Sequence, residues 1–296
     1  MSARRTFHPM ELSPLPRKPQ DDEIDVYGLT HQGLVRKDNQ DHFLLSTINK
    51  RVRVVATSLT DDQRTLVESD ERLAYLAMVA DGVGGGVGGA EASATALEVA
   101  MAYVNHSMAC YYNAHSAETE FIDALQAAAF QAHEAIVVKR HAAKARTMAT
   151  TLTLLMSVWP SVYLLQVGDS RYYVFREGEL VQVSRDQTIA QELVDEGVMS
   201  RTAAFRTQLS NVLSSALGAD SAVPVVTRLT SEWHTVNLVC SDGLTKHVSD
   251  ARIAERLRTM VNAKQVCEQL LQDALDDGGT DNITILVGRA VPKRDV

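Results

Sequence analysis

Apolar positions repeat with one spacing in the second quarter of the chain and with another on either side of it. Residues 24–29 (I-D-V-Y-G-L) predict a first strand, 50–56 (K-R-V-R-V-V-A) another, and 73–80 (L-A-Y-L-A-M-V-A) a run apolar enough for a buried strand. Between them, 30–45 is a polar cluster interrupting two short apolar stretches, and 58–71 reads as an inserted loop. Over 90–107 and 118–139 the period is helical. Phe121, Leu125, Ala128, Ala132, Ile136 and Val137 fall close to one face, and the many alanines let these helices lie close to a sheet. After Arg146 the strand pattern returns at 149–158 and 162–167 with a turn at Pro160-Ser161, then in a hairpin of 172–175 and 180–183, then at 225–229, 236–240 and 283–287. Helices are predicted at 188–196, 249–257 and 263–275, with Ser249 as N-cap and Asp250 in the first turn, where negative charge is favoured. Strands, two long helices, then strands with helices between them argue against a regular βαβ sheet and for an α+β, layered sandwich.

Composition narrows the function classes. The 296 residues are 45% hydrophobic and 22% charged, enough for a large core. Residues 1–22, rich in Pro, Ser and charge, read as a disordered arm; 23–290 reads as one domain and 291–296 as a tail. A net charge of −8 disfavours broad nucleic-acid binding. Cys110, Cys240 and Cys267 have no metal-like spacing and point to a reducing compartment without disulfides. The N-terminus lacks the apolar core of a signal peptide, and no run approaches bilayer length, so a cytoplasmic protein that does not bind membranes is expected.

The candidate chemistry is acidic. Asp81 follows L-A-M-V-A, Asp169 follows L-Q-V-G, Asp242 follows L-V-C-S, and Asp281 precedes N-I-T-I-L-V. One aspartate after a strand is ordinarily a turn former. Four of them, three with an adjacent glycine, would meet in a small volume if those strand ends converge, and like charges held that close require cations. Oxygen donors without His or Cys point to magnesium or manganese rather than zinc or copper. The segment R-K-D-N-Q-D over 36–41 adds Arg36, whose planar fork suits a phosphate, although taken alone the segment is also a plain solvated turn. Six of the sixteen glycines lie between Gly82 and Gly89. This run lacks G-K-[ST] and the dinucleotide fingerprint, so it is not read as a nucleotide site.

Seven motifs stand in a recognisable order: R-K-D-N-Q-D-H-F at 36–43, V-A-D-G-V-G-G at 79–85, A-T-T-L-T at 149–153, V-G-D-S-R-Y at 167–172, S-S-A-L-G at 214–218, C-S-D-G-L at 240–244 and D-N-I-T at 281–284. From about Tyr27 to Arg289 the chain resembles the metal-dependent protein phosphatases of the PP2C (PPM) type in their bacterial form. The resemblance implies a four-layer α-β-β-α sandwich with two packed antiparallel sheets and a metal site at one end. It implies that Asp81 bridges two core Mn²⁺ or Mg²⁺ ions, that Gly82 offers its backbone carbonyl, and that Asp242 and Asp281 complete the core. Asp169, with Asp242, would hold a weaker third ion; Arg36 would bind phosphate and Asp41 would orient water. The implied reaction is hydrolysis of phosphoserine and phosphothreonine in proteins by in-line attack of a metal-bridging water, without a phospho-enzyme. Partners would be phosphorylated proteins and a cognate Ser/Thr kinase with its substrates, and the chain itself is expected to be a monomer.

There are departures. Gln40 stands where many eukaryotic relatives carry Glu, and Val83 where they carry a His proposed as general acid, so a water would protonate the leaving alkoxide. Ala149 replaces a usual glycine, and 58–71 is longer than usual. A flap is expected at 186–211. Two rival readings stay open: a silent relative that binds phosphoproteins, and a regulator dedicated to one partner such as a sigma-factor antagonist or a secretion component.

Overall fold

The computed structural model describes residues 17–84, 87–107, 118–204 and 207–293. Cys110, most of the expected arm, and parts of the glycine run and the flap lie outside the described residues.

Two five-stranded sheets, antiparallel throughout, carry the apolar pattern. The first is ordered β1 (Ile24–His31), β12 (Ile283–Ala290), β11 (Val236–Cys240), β8 (Arg171–Arg176), β9 (Glu179–Gln182). The second is ordered β10 (Val225–Thr230), β7 (Ser161–Val167), β6 (Leu152–Val158), β3 (Ser69–Ala80), β2 (His42–Val52). A two-stranded piece, β4 (Gly82–Val83) with β5 (Ala149–Thr150), extends the second sheet's end.

Period-two alternation assigns each face. On β3, Ala74, Leu76, Met78 and Ala80 pack with α2 (Val87–Ser107) and α3 (Glu118–Ala142), while Val79 and Ala77 turn to the other sheet. On β12, Ile283, Ile285 and Val287 pack with α7 (Asp250–Arg258) and α8 (Ala263–Asp276), while Leu286 meets Val79, Leu155, Leu164, Tyr172 and Val239 between the sheets. The layers are therefore α-β-β-α, as expected. Leu76, Leu154, Leu164 and Leu238 are fully buried, and each such side chain stabilises the fold by about 2 kcal/mol. Among the described residues no helix is long and apolar enough to cross a membrane.

Several boundaries moved. Of the predicted strand at 50–56 only 50–52 is strand, as the far end of the longer β2, which pairs with β3 down to Val52–Ser69 through an irregularity at Ile48/Asn49. The 58–71 loop instead contains α1 (Asp61–Val67) and the start of β3. Thr60 and Gln63 exchange backbone-to-side-chain hydrogen bonds across the first turn of α1 (3.2 and 3.4 Å), a capping box that starts a helix in a polar stretch. Ser249 does cap α7, accepting from the backbone of Arg252. Within the expected arm, Arg17 pairs with Glu23 at 2.8 Å and Lys18 with the carbonyl of Arg72, so packing begins earlier than Ile24.

Candidate active site

The ends of β3, β7 and β11 and the start of β12 open on one side of the sandwich, around a cleft of about 1130 Å³. Arg36, Asp81, Gly82, Asp169, Asp242 and Asp281 all line it. Asp41, the remaining residue singled out from sequence, is only 2% exposed and does not line the cleft. A second cavity of about 100 Å³ lies between the sheets among Leu45, Leu76, Leu155, Val239 and Leu286, and no carboxylate lines it.

Each acid is set by backbone fastenings. Thr150 and Thr151, at the step from β5 to β6, clamp Asp81: the Thr151 N–H and the Thr150 hydroxyl donate to its carbonyl (2.9 and 2.8 Å), and its own N–H donates to Thr151 Oγ1 (3.0 Å). The glycine run makes that path possible by close approach. A Cβ on Gly82 would sit 2.5 Å from the Gly89 carbonyl, so β4 lies directly on the start of α2. Asp169 sits in a turn pinned by Gln187, whose side chain accepts from Gly168 N–H at 2.7 Å. Asp41 Oδ2 accepts from Ser241 Oγ and Thr284 Oγ1, both at 2.7 Å, tying β2 to β11 and β12. Arg36 forms a bidentate pair with Asp281, Nε to Oδ1 at 2.7 Å and Nη2 to Oδ2 at 2.8 Å.

Three residues to which the sequence reading gave no role in the site complete the geometry. Asn282 donates to the carbonyls of Gln32 and Asp38 (2.8 and 2.9 Å) and accepts from Gln40 N–H (2.9 Å), so it holds the loop that carries Arg36. Gly243 lets the first turn of α6 (Asp242–Thr245) rest on the Asn282 carbonyl, which brings Asp242 beside Asp281. Lys246 then bridges those two acids, with Nζ 2.6 Å from Asp242 Oδ2 and 2.7 Å from Asp281 Oδ2. Lys246 had a signal in sequence: it stands four residues after Asp242, one helical turn on.

Crowding shows in the electrostatics. Burial, then the charges of Asp41, Asp242, Asp169 and Asp281, push the Asp81 carboxyl well above its ordinary value. Burial, then Asp242 and Asp186, raise Asp169 to about 8 against the pull of Lys246. Burial raises Asp41 to about 6, although the Ser241 and Thr284 hydroxyls oppose it. Asp281 goes the other way: burial would raise it, but Arg36 and Lys246 together hold it below the usual carboxylate range.

The residues fit hard divalent cations. Among the described residues nothing hydrogen-bonds to the buried Asp41 Oδ1 and Asp242 Oδ1, an arrangement that costs on the order of 1–3 kcal/mol per group unless something positive meets them. Every acid in the cleft offers oxygen, and among its described lining residues there is no His or Cys. Among the described residues no three such side chains are drawn into a ready ligand shell. Asp242 and Asp281 are instead met by Lys246, and Asp281 by Arg36.

The raised carboxyls have a consequence for stability. The folded, chelator-stripped protein holds protons on Asp41 and Asp169 that the unfolded chain releases near pH 4. Their stabilising contribution is complete below about pH 4 and is lost as pH rises through about 6 and about 8. Mn²⁺ should therefore raise the Tm of stripped protein more at about pH 8.5 than at about pH 5.5. Equal shifts in a calorimetric scan at the two pH values would dissociate these carboxyls from the metal.

Comparison with known proteins agrees with the geometry. Over 144 residues, 49% of this chain and 28% of the other, it is 35% identical to the serine/threonine protein phosphatase PstP of Mycobacterium tuberculosis. Over 141 residues it is 32% identical to the serine/threonine phosphatase stp of Listeria innocua, covering 47% of this chain and 56% of that one. The matches thus span about a quarter to about half the length of these relatives. Among solved structures, that of M. tuberculosis PstP/Ppp superposes with a TM-score of 0.70 at 27% identity over 91% of this chain and 99% of that one. The PstP catalytic domain in complex with two manganese ions gives 0.67 at 27%, covering 91% and 99%. PppA, described as a regulatory component of the type VI secretion system in Pseudomonas aeruginosa, gives 0.67 at 26%, covering 90% and 97%. The family model for protein phosphatase 2C matches residues 53–277, which include Asp81, Asp169 and Asp242. Arg36, Asp41 and Asp281 fall outside that span and join the site through the β1–β2 connection and the entry to β12. With most of its length matched to that model, and its acids gathered at one end of the sandwich, this chain belongs to the protein phosphatase 2C family.

Proposed function

We propose that this chain hydrolyses phosphoserine and phosphothreonine in proteins, using two Mn²⁺ or Mg²⁺ ions. The observation that carries the reading is the meeting of Asp81, Asp169, Asp242 and Asp281 with the Arg36 guanidinium in one cleft, where an Asp242 oxygen has no partner among the described residues. When bound, the ions supply an activated water and offset the charge on the phosphoryl oxygens. Asp81, the Gly82 carbonyl, Asp242 and Asp281 hold the pair, and Asp169 with Asp242 holds a weaker third. Asp41, fixed by two hydroxyls, orients water. Arg36 positions the phosphoryl group; Asp281 occupies its Nε and Nη2, so substrate contact falls to its remaining donors.

Direct attack by water, without a phospho-enzyme, is supported by the two thiols among the described residues. Cys240 and Cys267 are buried and burial pushes both up to about 12, far from a thiolate nucleophile at neutral pH. Val83 lines the cleft, and no imidazole does among the described residues, which supports a water as the proton donor to the leaving alkoxide. The same reading takes residues 23–290 as one catalytic unit, monomeric and cytoplasmic, opposing a Ser/Thr kinase on shared substrates.

Phosphate release from phosphothreonine and phosphotyrosine peptides, with Mn²⁺ and with EDTA, tests this directly. Activity on phosphothreonine that EDTA removes is expected. Arg36→Ala should lower kcat/KM about 10- to 100-fold, mostly through KM. Unchanged kcat/KM would take Arg36 out of the substrate site. Phosphopeptide binding without any release in Mn²⁺ would favour the silent, phosphoprotein-binding alternative.

A further inference from the structure

Lys246 stands at the end of α6, on the same helical face as Asp242. One ammonium takes one oxygen from each of two acids that belong to different elements: Asp242 at the end of β11, and Asp281 at the entry to β12. The span between those elements is fixed, because Gly243 rests on the Asn282 carbonyl and leaves no slack for either acid to withdraw. Asp242 Oδ1, the oxygen that Lys246 does not reach, is buried without a partner among the described residues.

Each carboxylate oxygen has lone pairs enough for a metal and a hydrogen bond, but a divalent cation and an ammonium on the same pair of oxygens oppose each other. Both are positive, and a few ångströms apart in a partly buried site their repulsion is several times what it is in water. Resting on the reading of Asp242 and Asp281 as metal ligands, we propose that Lys246 is a tethered competitor for divalent metal, which sets the site's affinity and leaves both acids when metal is taken up. The lysine has space to leave. Its side chain is 30% exposed and it borders both the main cleft and an adjoining one of about 820 Å³ beside Arg171 and Asp186. Being part of the chain, its ammonium is present at a constant local concentration that dilution cannot lower. Metal therefore enters against a fixed opposing charge, and occupancy follows free metal over a higher concentration range than the acids alone would set.

The test uses the full chain stripped with chelator, with Mn²⁺ titrated calorimetrically and Tm measured without metal. Lys246→Met keeps the length of the stem and removes the charge; Lys246→Arg keeps the charge. The methionine variant should bind Mn²⁺ about 10-fold or more tighter than wild type, within the range of ordinary coupling between sites. Its metal-free Tm should fall, because Asp242 and Asp281 lose their shared counter-charge, and Mn²⁺ should restore it. The arginine variant should stay near wild type. Equal or weaker Mn²⁺ binding by Lys246→Met overturns the inference, as does an arginine variant that behaves like the methionine one. Absence of Mn²⁺ binding by the wild type is a separate result: it overturns the metal reading itself, and the competitor role with it.

Discussion

Asp81→Asn is expected to remove Mn²⁺-dependent phosphate release, by on the order of 10³-fold or more, while leaving the protein folded. Asp81 is the acid that feels all the others: Asp41, Asp242, Asp169 and Asp281 each push its carboxyl up, beyond what burial does. Such a position is suited to a cation and poorly suited to anything else. Asparagine keeps the shape and the backbone fastening to Thr150 and Thr151, which uses only main-chain atoms of Asp81. It replaces an acid whose ionisation burial and its neighbours oppose with a neutral side chain, so the chelator-stripped variant should melt at the same temperature as wild type or higher. That combination separates a ligand from a structural residue. A variant with lowered Tm and proportionally lowered activity would make Asp81 a packing residue, and wild-type turnover in Mn²⁺ would remove it from the metal site.

Gly243→Ala is expected to cost about 2–3 kcal/mol and most of the activity together. The added Cβ would lie 1.9 Å from the Asn282 carbonyl oxygen, a backbone atom that cannot swing aside as a side chain would. Relief requires α6 to rise off the entry to β12. That separates Asp242 from Asp281 and disturbs the residue that holds the Arg36 loop. For a chain of this size the Tm should drop by roughly 4–10 °C. Gly288→Ala is the control: its Cβ meets nothing nearer than 3.4 Å, on a β12 position far along the strand from the cleft, and should leave Tm and kcat near wild type. Similar losses for both substitutions would show that the fold dislikes alanine generally and would detach Gly243 from the site.

Much of this was legible along the chain. Alternating strands from β3 onward, and the two amphipathic helix pairs, could be read because each element buries a face that its own periodicity displays. The edge features were harder. The first part of β2, Phe43-Leu44-Leu45, is only a short apolar stretch after a polar cluster, and pairing with β3 makes it a strand. The helix at Asp61–Val67 was available in principle: Thr60-Asp61-Asp62-Gln63 fits the capping-box pattern, yet a polar stretch invites a loop reading. The glycine run was visible only as a local enrichment; that backbone meets backbone there, Gly82 against Gly89, is a property of the fold.

The order of residues alone determined which chemistry is on offer: aspartates at strand ends, oxygen donors without imidazole or thiol among them, and one arginine with the right fork. Covalent spacing carries that information, since a side chain's type and the period around it are local properties. Only the folded arrangement decided that these acids, up to 245 positions from Arg36, share one cleft, that Arg36 is paired with Asp281, and that Lys246 lies across two of the acids. Those facts come from strand order and from two glycine-sized gaps. Through-space distances of a few ångströms set the strength of charge interactions, and no spacing along a chain encodes them.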